Sequence, residues 1–184
     1  MKVKTIEIAG FNAALQALRL PFGKECRSLT SYLTKYEDDA NKDEIFFECS
    51  SICDIEKKDL QLMSTLVKRG DEHAKAVRGI IVYAEIEAPV YWWCELETYR
   101  AGHERLSSES TMHIDCRGLS GDELVRAKSK IPMGKVLKKA DMFSYQCLRN
   151  IVRQRTGHRL PEWAVFIEWV KGLPFADDLI FAGL

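Results

Sequence analysis

Residues 2–9 alternate between polar and apolar side chains, the two-residue period of a strand with one buried face. A helix is predicted over Phe11–Leu18. Periodicity is lost over residues 24–43, where Asp38, Asp39, Asn41 and Asp43 predict an exposed loop, and Glu44–Cys49 reads as a second strand. Lys57–Arg69 changes to helical spacing: Leu62, Met63, Leu66 and Val67 form a stripe, Asp59 lies in the first turn and Gly70 follows as a stop. Residues 78–87 (RGIIVYAEIE) predict the clearest strand, with Ile80, Val82, Ala84 and Ile86 on one face and Ile81, Tyr83, Glu85 and Glu87 on the other. Pro89 suits the first turn of a helix running to about Arg100. The longest helix is predicted from near Pro132 to just before Gly157, striped by Met133, Val136, Leu137, Ala140, Cys147, Leu148, Ile151 and Val152. Pro161 opens another, EWAVFIEWVK, apolar on most sides and therefore expected to be buried. Strands and helices mix without regular βαβ alternation, which predicts an α+β fold: a mixed or antiparallel sheet flanked by helices.

Composition narrows the partners more than the fold. A length of 184 residues fits a single domain spanning 1–184. Lys+Arg and Asp+Glu balance at 27 each, so no global field favours nucleic acid or a membrane surface, and any anion site must be a local cluster. MKVKTIEIAG lacks the apolar core of a signal peptide, and no apolar run approaches the about 18 residues that a membrane span needs. A cytoplasmic protein is expected, with Cys26, Cys49, Cys53, Cys94, Cys116 and Cys147 reduced. Cys49 and Cys53 have no second Cys/His pair at finger spacing, so they read as buried thiols, and no metal site is expected.

Two places carry candidate chemistry. Arg155 follows Leu148, Ile151 and Val152 at helical spacing, which puts a guanidinium on a core-facing stripe where it needs a partner. That partner is either an Asp or Glu in a structural ion pair, or an anionic ligand bound bidentately. The second place is TYRAGHERLSSESTMH (residues 98–113), where Arg100, His103 and Arg105 precede the hydroxyls of Ser107, Ser108, Ser110 and Thr111. Such a segment is either a solvated loop or an anion seat built from hydroxyls and backbone N–H groups. No GxGxxG, GxxxxGK[ST], HExxH or GxSxG occurs.

The order of elements resembles the flavin-dependent thymidylate synthases. LMSTLVKRG, then His73, then GIIVYAEIEAP, match that family's helix, Gly/His-rich turn, strand and helix opening at an Ala/Gly-Pro step. Thr98, Tyr99 and Arg100 align with its Arg-His-Arg signature; the serine that follows is Ser108 with no insertion, or Ser110 with a short one. KSKIPMG resembles its basic-plus-Leu-Pro segment, and LRNIVRQRTGHRLPEW its closing segment, so the match covers roughly residues 57–171. The signature's first Arg and its His are replaced by Thr98 and Tyr99, Glu95 stands at a glutamine-like position, and Gly79 stands where the family has a strand His.

The resemblance implies that Arg155 and Lys128 approach the phosphate or base of a deoxyuridylate, with Ser110, or else Ser108, as a further contact and Glu109 beside them. It places Asn150 near a flavin, with Arg100 in register on the cofactor side and His103 and Arg105 displaced along the segment. It implies a homotetramer with shared sites. Two functions follow as expectations. One is an enzyme in which reduced FAD delivers hydride to dUMP carrying a one-carbon unit from methylenetetrahydrofolate, yielding dTMP. The other is a non-catalytic module on the same fold that binds a nucleotide, another anion or a protein. Losing two cofactor-facing groups implies weak flavin binding: a protein that purifies without FAD and makes little or no dTMP.

Overall fold

In the computed structural model, residues 1–23 and 55–184 are described. The loop and strand predicted over 24–49, and Cys26, Cys49 and Cys53, lie outside them. Strand β1 (Lys2–Ala9) passes through Gly10 into helix α1 (Phe11–Arg19) and a 3-10 turn (Leu20–Phe22). Helix α2 (Lys57–Arg69) leads through a second 3-10 turn (Lys75–Gly79) to β2 (Ile81–Pro89) and α3 (Val90–Leu96). Then follow β3 (His103–Ser108), α4 (Thr111–Ile114), α5 (Gly121–Ser129) and β4 (Val136–Ser144). Helices α6 (Tyr145–Arg155), α7 (Pro161–Lys171) and α8 (Ala176–Leu179) close the chain. The four strands form one antiparallel sheet in the order β1-β2-β4-β3, so the architecture is α+β as the pattern implies.

One sheet face is buried. Val82, Ala84 and Ile86 of β2 and Phe143 of β4 join Trp92 and Trp93 of α3, Leu148 and Ile151 of α6, and Trp163 and Phe166 of α7 in one core. The Trp92 ring centre lies 5.1 Å from Trp93 and 4.9 Å from Trp163. The Tyr91-Trp92-Trp93 run is therefore largely core, with Trp92 and Trp93 fully enclosed. Large flat rings bury more apolar area per residue than any other side chain, and here they fill the space between α3, α7 and the sheet.

The predicted long helix from Pro132 is replaced by a strand followed by a helix. In β4, Leu137, Lys139, Asp141 and Phe143 point inward, while Val136, Lys138, Ala140 and Met142 point outward. Two of the four inward side chains are charged. They mask the period of two, and the remaining apolar residues fall at helical spacing by coincidence. The chain turns into α6 at Ser144, whose Oγ accepts from Cys147 N at 3.1 Å as an N-cap.

Smaller differences have equally local causes. The strand predicted over 78–87 begins at Ile81 and runs through Pro89, with both faces as expected. The helix after Pro89 ends at Leu96, and Gly102, at φ +79°, then turns the chain into β3. Residues 103–108, expected within a loop, form that edge strand. Of α7, only Trp163, Phe166 and Val170 are buried, and Cys94 on α3 is exposed.

Candidate functional site

Arg155, the last residue of α6, is partly buried and already satisfied. Its Nη1 donates to Glu95 Oε2 at 2.9 Å and its Nε to the Tyr99 hydroxyl at 2.8 Å, while its guanidinium carbon lies 4.7 Å from the Trp163 ring centre. Trp163 Nε1 donates to the same Glu95 oxygen at 2.9 Å, and His158 Nε2 stands 3.7 Å from it. Of the two readings of Arg155, the structure holds the ion pair. None of its polar contacts is with Ser110 or Lys128.

The hydroxyl segment is ordered by the sheet. Ser107 and Ser108 belong to β3, opposite Ala140 and Lys139. Glu109 extends the ladder: its N–H donates to Lys138 O at 2.8 Å, and its Oε2 accepts from Lys138 N at 2.8 Å. Ser110 Oγ accepts from Met112 N at 3.2 Å and so starts α4, while Lys128, from the last turn of α5, donates to Thr111 Oγ1. Lys128 and Ser110 are thus brought together through Thr111. Ser108 and Glu109 line a depression of about 360 Å³ shared with Lys138 and Lys139. The Lys138 ammonium sits 3.3 Å from Glu85 and 3.4 Å from Glu87; hydrogen bonding to Glu85, then to Glu87, raises its pKa.

On the inner side of the same strand lies a cluster of charges against an aromatic ring. Arg105 Nη1 donates to Glu97 Oε1 at 2.5 Å, and Lys139 Nζ reaches the same oxygen at 3.5 Å. Lys139 Nζ stands 4.5 Å and the Arg105 guanidinium carbon 5.2 Å from the Trp93 ring centre, so both cations face one ring. Asp141, fully buried, lies 3.4 Å from Arg105 Nε and 3.2 Å from His103 Nε2. His103 Nδ1 is 3.0 Å from Tyr99 O, and its ring stacks on Phe143 at 4.7 Å. Both imidazole nitrogens therefore face acceptors, a backbone carbonyl on one side and a carboxylate on the other. Burial, with repulsion from Arg105 second, pushes the Lys139 pKa down, while the hydrogen bond from Arg105 holds Glu97 below the usual carboxylate range. Arg105 Nε and Nη2 and Asp141 Oδ2 are buried with no hydrogen-bond partner.

Glu97, Lys139 and Asp141 were not singled out by pattern reading. The signal for the last two is the alternation over 136–144, which sets them on the face of Leu137 and Phe143. Arg100 is exposed at the α3–β3 turn, and Asn150, half-buried on α6, accepts from Arg153 Nη2 at 3.3 Å. Among the described residues, no group of three or more His, Cys, Asp or Glu side chains is placed to hold a metal ion, and no helix is long and apolar enough to cross a membrane.

The fold is similar to that of solved enzymes. The flavin-dependent thymidylate synthase ThyX from Helicobacter pylori, in complex with FAD and dUMP, superposes with a TM-score of 0.63 at 16% identity, over 97% of this chain and 100% of that one. A second structure of the same protein with FAD and dUMP gives 0.64 at 14% identity, over 97% and 99%. At this identity the similarity is one of fold. No protein-family profile matches the chain, and no curated protein is significantly similar to it in sequence.

Proposed function

We propose that this chain binds a deoxyuridine monophosphate-like nucleotide along its β3–α4 edge, on a divergent flavin-dependent thymidylate synthase fold. One observation carries the reading: Ser107, Ser108, Lys138 and Lys139 line one depression with Glu85 and Glu109, and Lys128 reaches Thr111 at the start of α4 just after it, whereas the net charge of the whole chain is zero. Local concentration of cations and hydroxyls is what a phosphate monoester needs, since affinity comes from charge-assisted hydrogen bonds in a partly desolvated cleft. The dUMP held by the H. pylori enzyme of the same fold supports a uridine base. In this reading Ser110 and Lys128 contact the nucleotide and Glu109 lies beside them. Arg155 joins them only if Glu95 releases it.

FAD fits less well. Of the four residues that would face it, His103 is enclosed by Asp141 and Tyr99, and Arg105 is held by Glu97. Asn150 is half-buried, which leaves exposed Arg100 as the one cation open to a flavin phosphate. The expected activity is nucleotide binding with weak or absent dTMP synthesis, by a cytoplasmic single-domain protein.

Titration calorimetry with dUMP tests the reading. Binding is expected in the unmutated protein, with Lys128→Ala weakening it by about 1.5 kcal/mol, the scale of one charge-assisted hydrogen bond. Absence of dUMP binding would return the site to a purely structural role. A yellow preparation whose flavin supports dTMP formation would restore the enzyme in full.

A further inference from the structure

Glu97 stands apart from the groups it binds. Its side chain is 49% exposed, whereas Lys139 is 10% and Arg105 28% exposed. The two cations are therefore built into the protein, and of the carboxylates that face them Asp141 is buried and Glu97 approaches from solvent. The cations are also over-provided with donors. Arg105 presents five N–H groups, of which only those on Nη1 reach Glu97; Nε and Nη2 are buried with no hydrogen-bond partner. Buried donors left unsatisfied are costly, and a single carboxylate oxygen at the rim does not relieve them.

The floor of the cluster is rigid. Trp93 is fully buried, its Nε1 tied to Ala88 O at 3.0 Å and Leu137 O at 3.3 Å, so its face toward Lys139 and Arg105 is fixed. Asp141, also fully buried, backs Arg105 from below and takes His103 on one oxygen. Removing the Glu97 carboxylate would leave two adjacent cations over a ring, with the Asp141 carboxylate still facing Arg105. That is a seat for a compact dianion with several acceptor oxygens.

We propose that Arg105 and Lys139, set on the Trp93 ring, form a binding site for a phosphate monoester, and that the Glu97 carboxylate holds the place of that ligand. The phosphate enters as Glu97 swings out to solvent; its oxygens accept from Arg105 and Lys139, and no covalent bond changes. This inference deepens the nucleotide reading by assigning the phosphate to a particular pair of cations, and it makes Glu97 a competitor that sets the affinity.

The test is titration calorimetry of the unmutated full chain, of Glu97→Gln and of the double variant Glu97→Gln/Arg105→Met, each with dUMP and with inorganic phosphate. Thermal melts of all three confirm folding. Glu97→Gln is expected to bind dUMP about tenfold more tightly, the equivalent of about one released charge-assisted contact, and the double variant to lose that gain. Inorganic phosphate should show the same rank order. If the unmutated protein binds dUMP and Glu97→Gln binds it no better, the site is overturned while the nucleotide reading stands. If dUMP fails throughout but Glu97→Gln gains phosphate binding that the double variant loses, the site stands and the nucleotide reading falls. If the double variant does not fold, Glu97→Gln/Lys139→Met takes its place with the same expectation.

Discussion

Arg149 directs a buried guanidinium at main chain rather than at an anion. Its Nη1 donates to Ile180 O at 2.7 Å and Ala182 O at 2.8 Å, and Nη2 approaches Val67 O at 3.5 Å, tying the C-terminal segment to the end of α2. Burial lowers its pKa, yet three carbonyls around a delocalised cation keep it charged at neutral pH. Arg149→Met should cost about 3 kcal/mol, because it orphans buried carbonyls, and urea unfolding would measure it. Loss of under about 0.5 kcal/mol would contradict the assignment. Glu97 supplies a pH dependence. Its folded pKa lies below the usual carboxylate range, chiefly through the Arg105 hydrogen bond, so its stabilisation is present above the ordinary carboxylate pKa and is lost as pH falls through the lowered folded value. Melting temperature should therefore decline less steeply on acidification in Glu97→Gln than in the unmutated protein. Parallel curves would show that Glu97 contributes nothing to acid sensitivity.

The elements meet at a few positions that tolerate only one residue type. Gly10, between β1 and α1, has φ +91°, and a Cβ there would lie 1.9 Å from Gly79 O in the turn before β2. Two penalties coincide, a left-handed backbone and a collision with main chain that cannot rotate away. Gly10→Ala should destabilise by more than about 2 kcal/mol, whereas Gly157→Ala, at φ +75° with nothing near its Cβ, should cost only about 1 kcal/mol. Equal chemical-denaturation midpoints for the two variants would contradict this packing argument. At the same scale, α3 carries an acid at each of two successive cation clusters. Glu95 meets Arg155 within its last turn, and Glu97 meets Arg105 and Lys139 just beyond it.

At the scale of the whole molecule, the sheet has one buried face and one half-exposed face bearing Glu85, Glu87 and Lys138. The homotetramer implied by the resemblance is tested by light scattering: a mass near four times the 21.1 kDa of one chain is expected. A mass near one chain would remove any site shared between copies and leave the β3–α4 edge to act alone.

What the sequence determined by itself was the set of elements whose period is unbroken. α1 and α2 stand where their helical stripes put them, and the two faces of β2 are assigned correctly, because apolar residues at one period have only one way to be buried. β1 forms where expected, but a register shift between Thr5 and Glu7 breaks its alternation and leaves Ile6 exposed. The α+β class follows from their order. Tertiary structure alone decided β4 and the chemistry around it. An inward Lys139 or Asp141 reads as surface in a hydropathy pattern; burial becomes tolerable only when a partner arrives from a distant segment, as Glu97 does across 42 positions. The same holds for Arg155. Its spacing showed that an anion was needed, but whether that anion was a ligand or a side chain depended on α6 packing against α3, which brings Glu95 from 60 residues away.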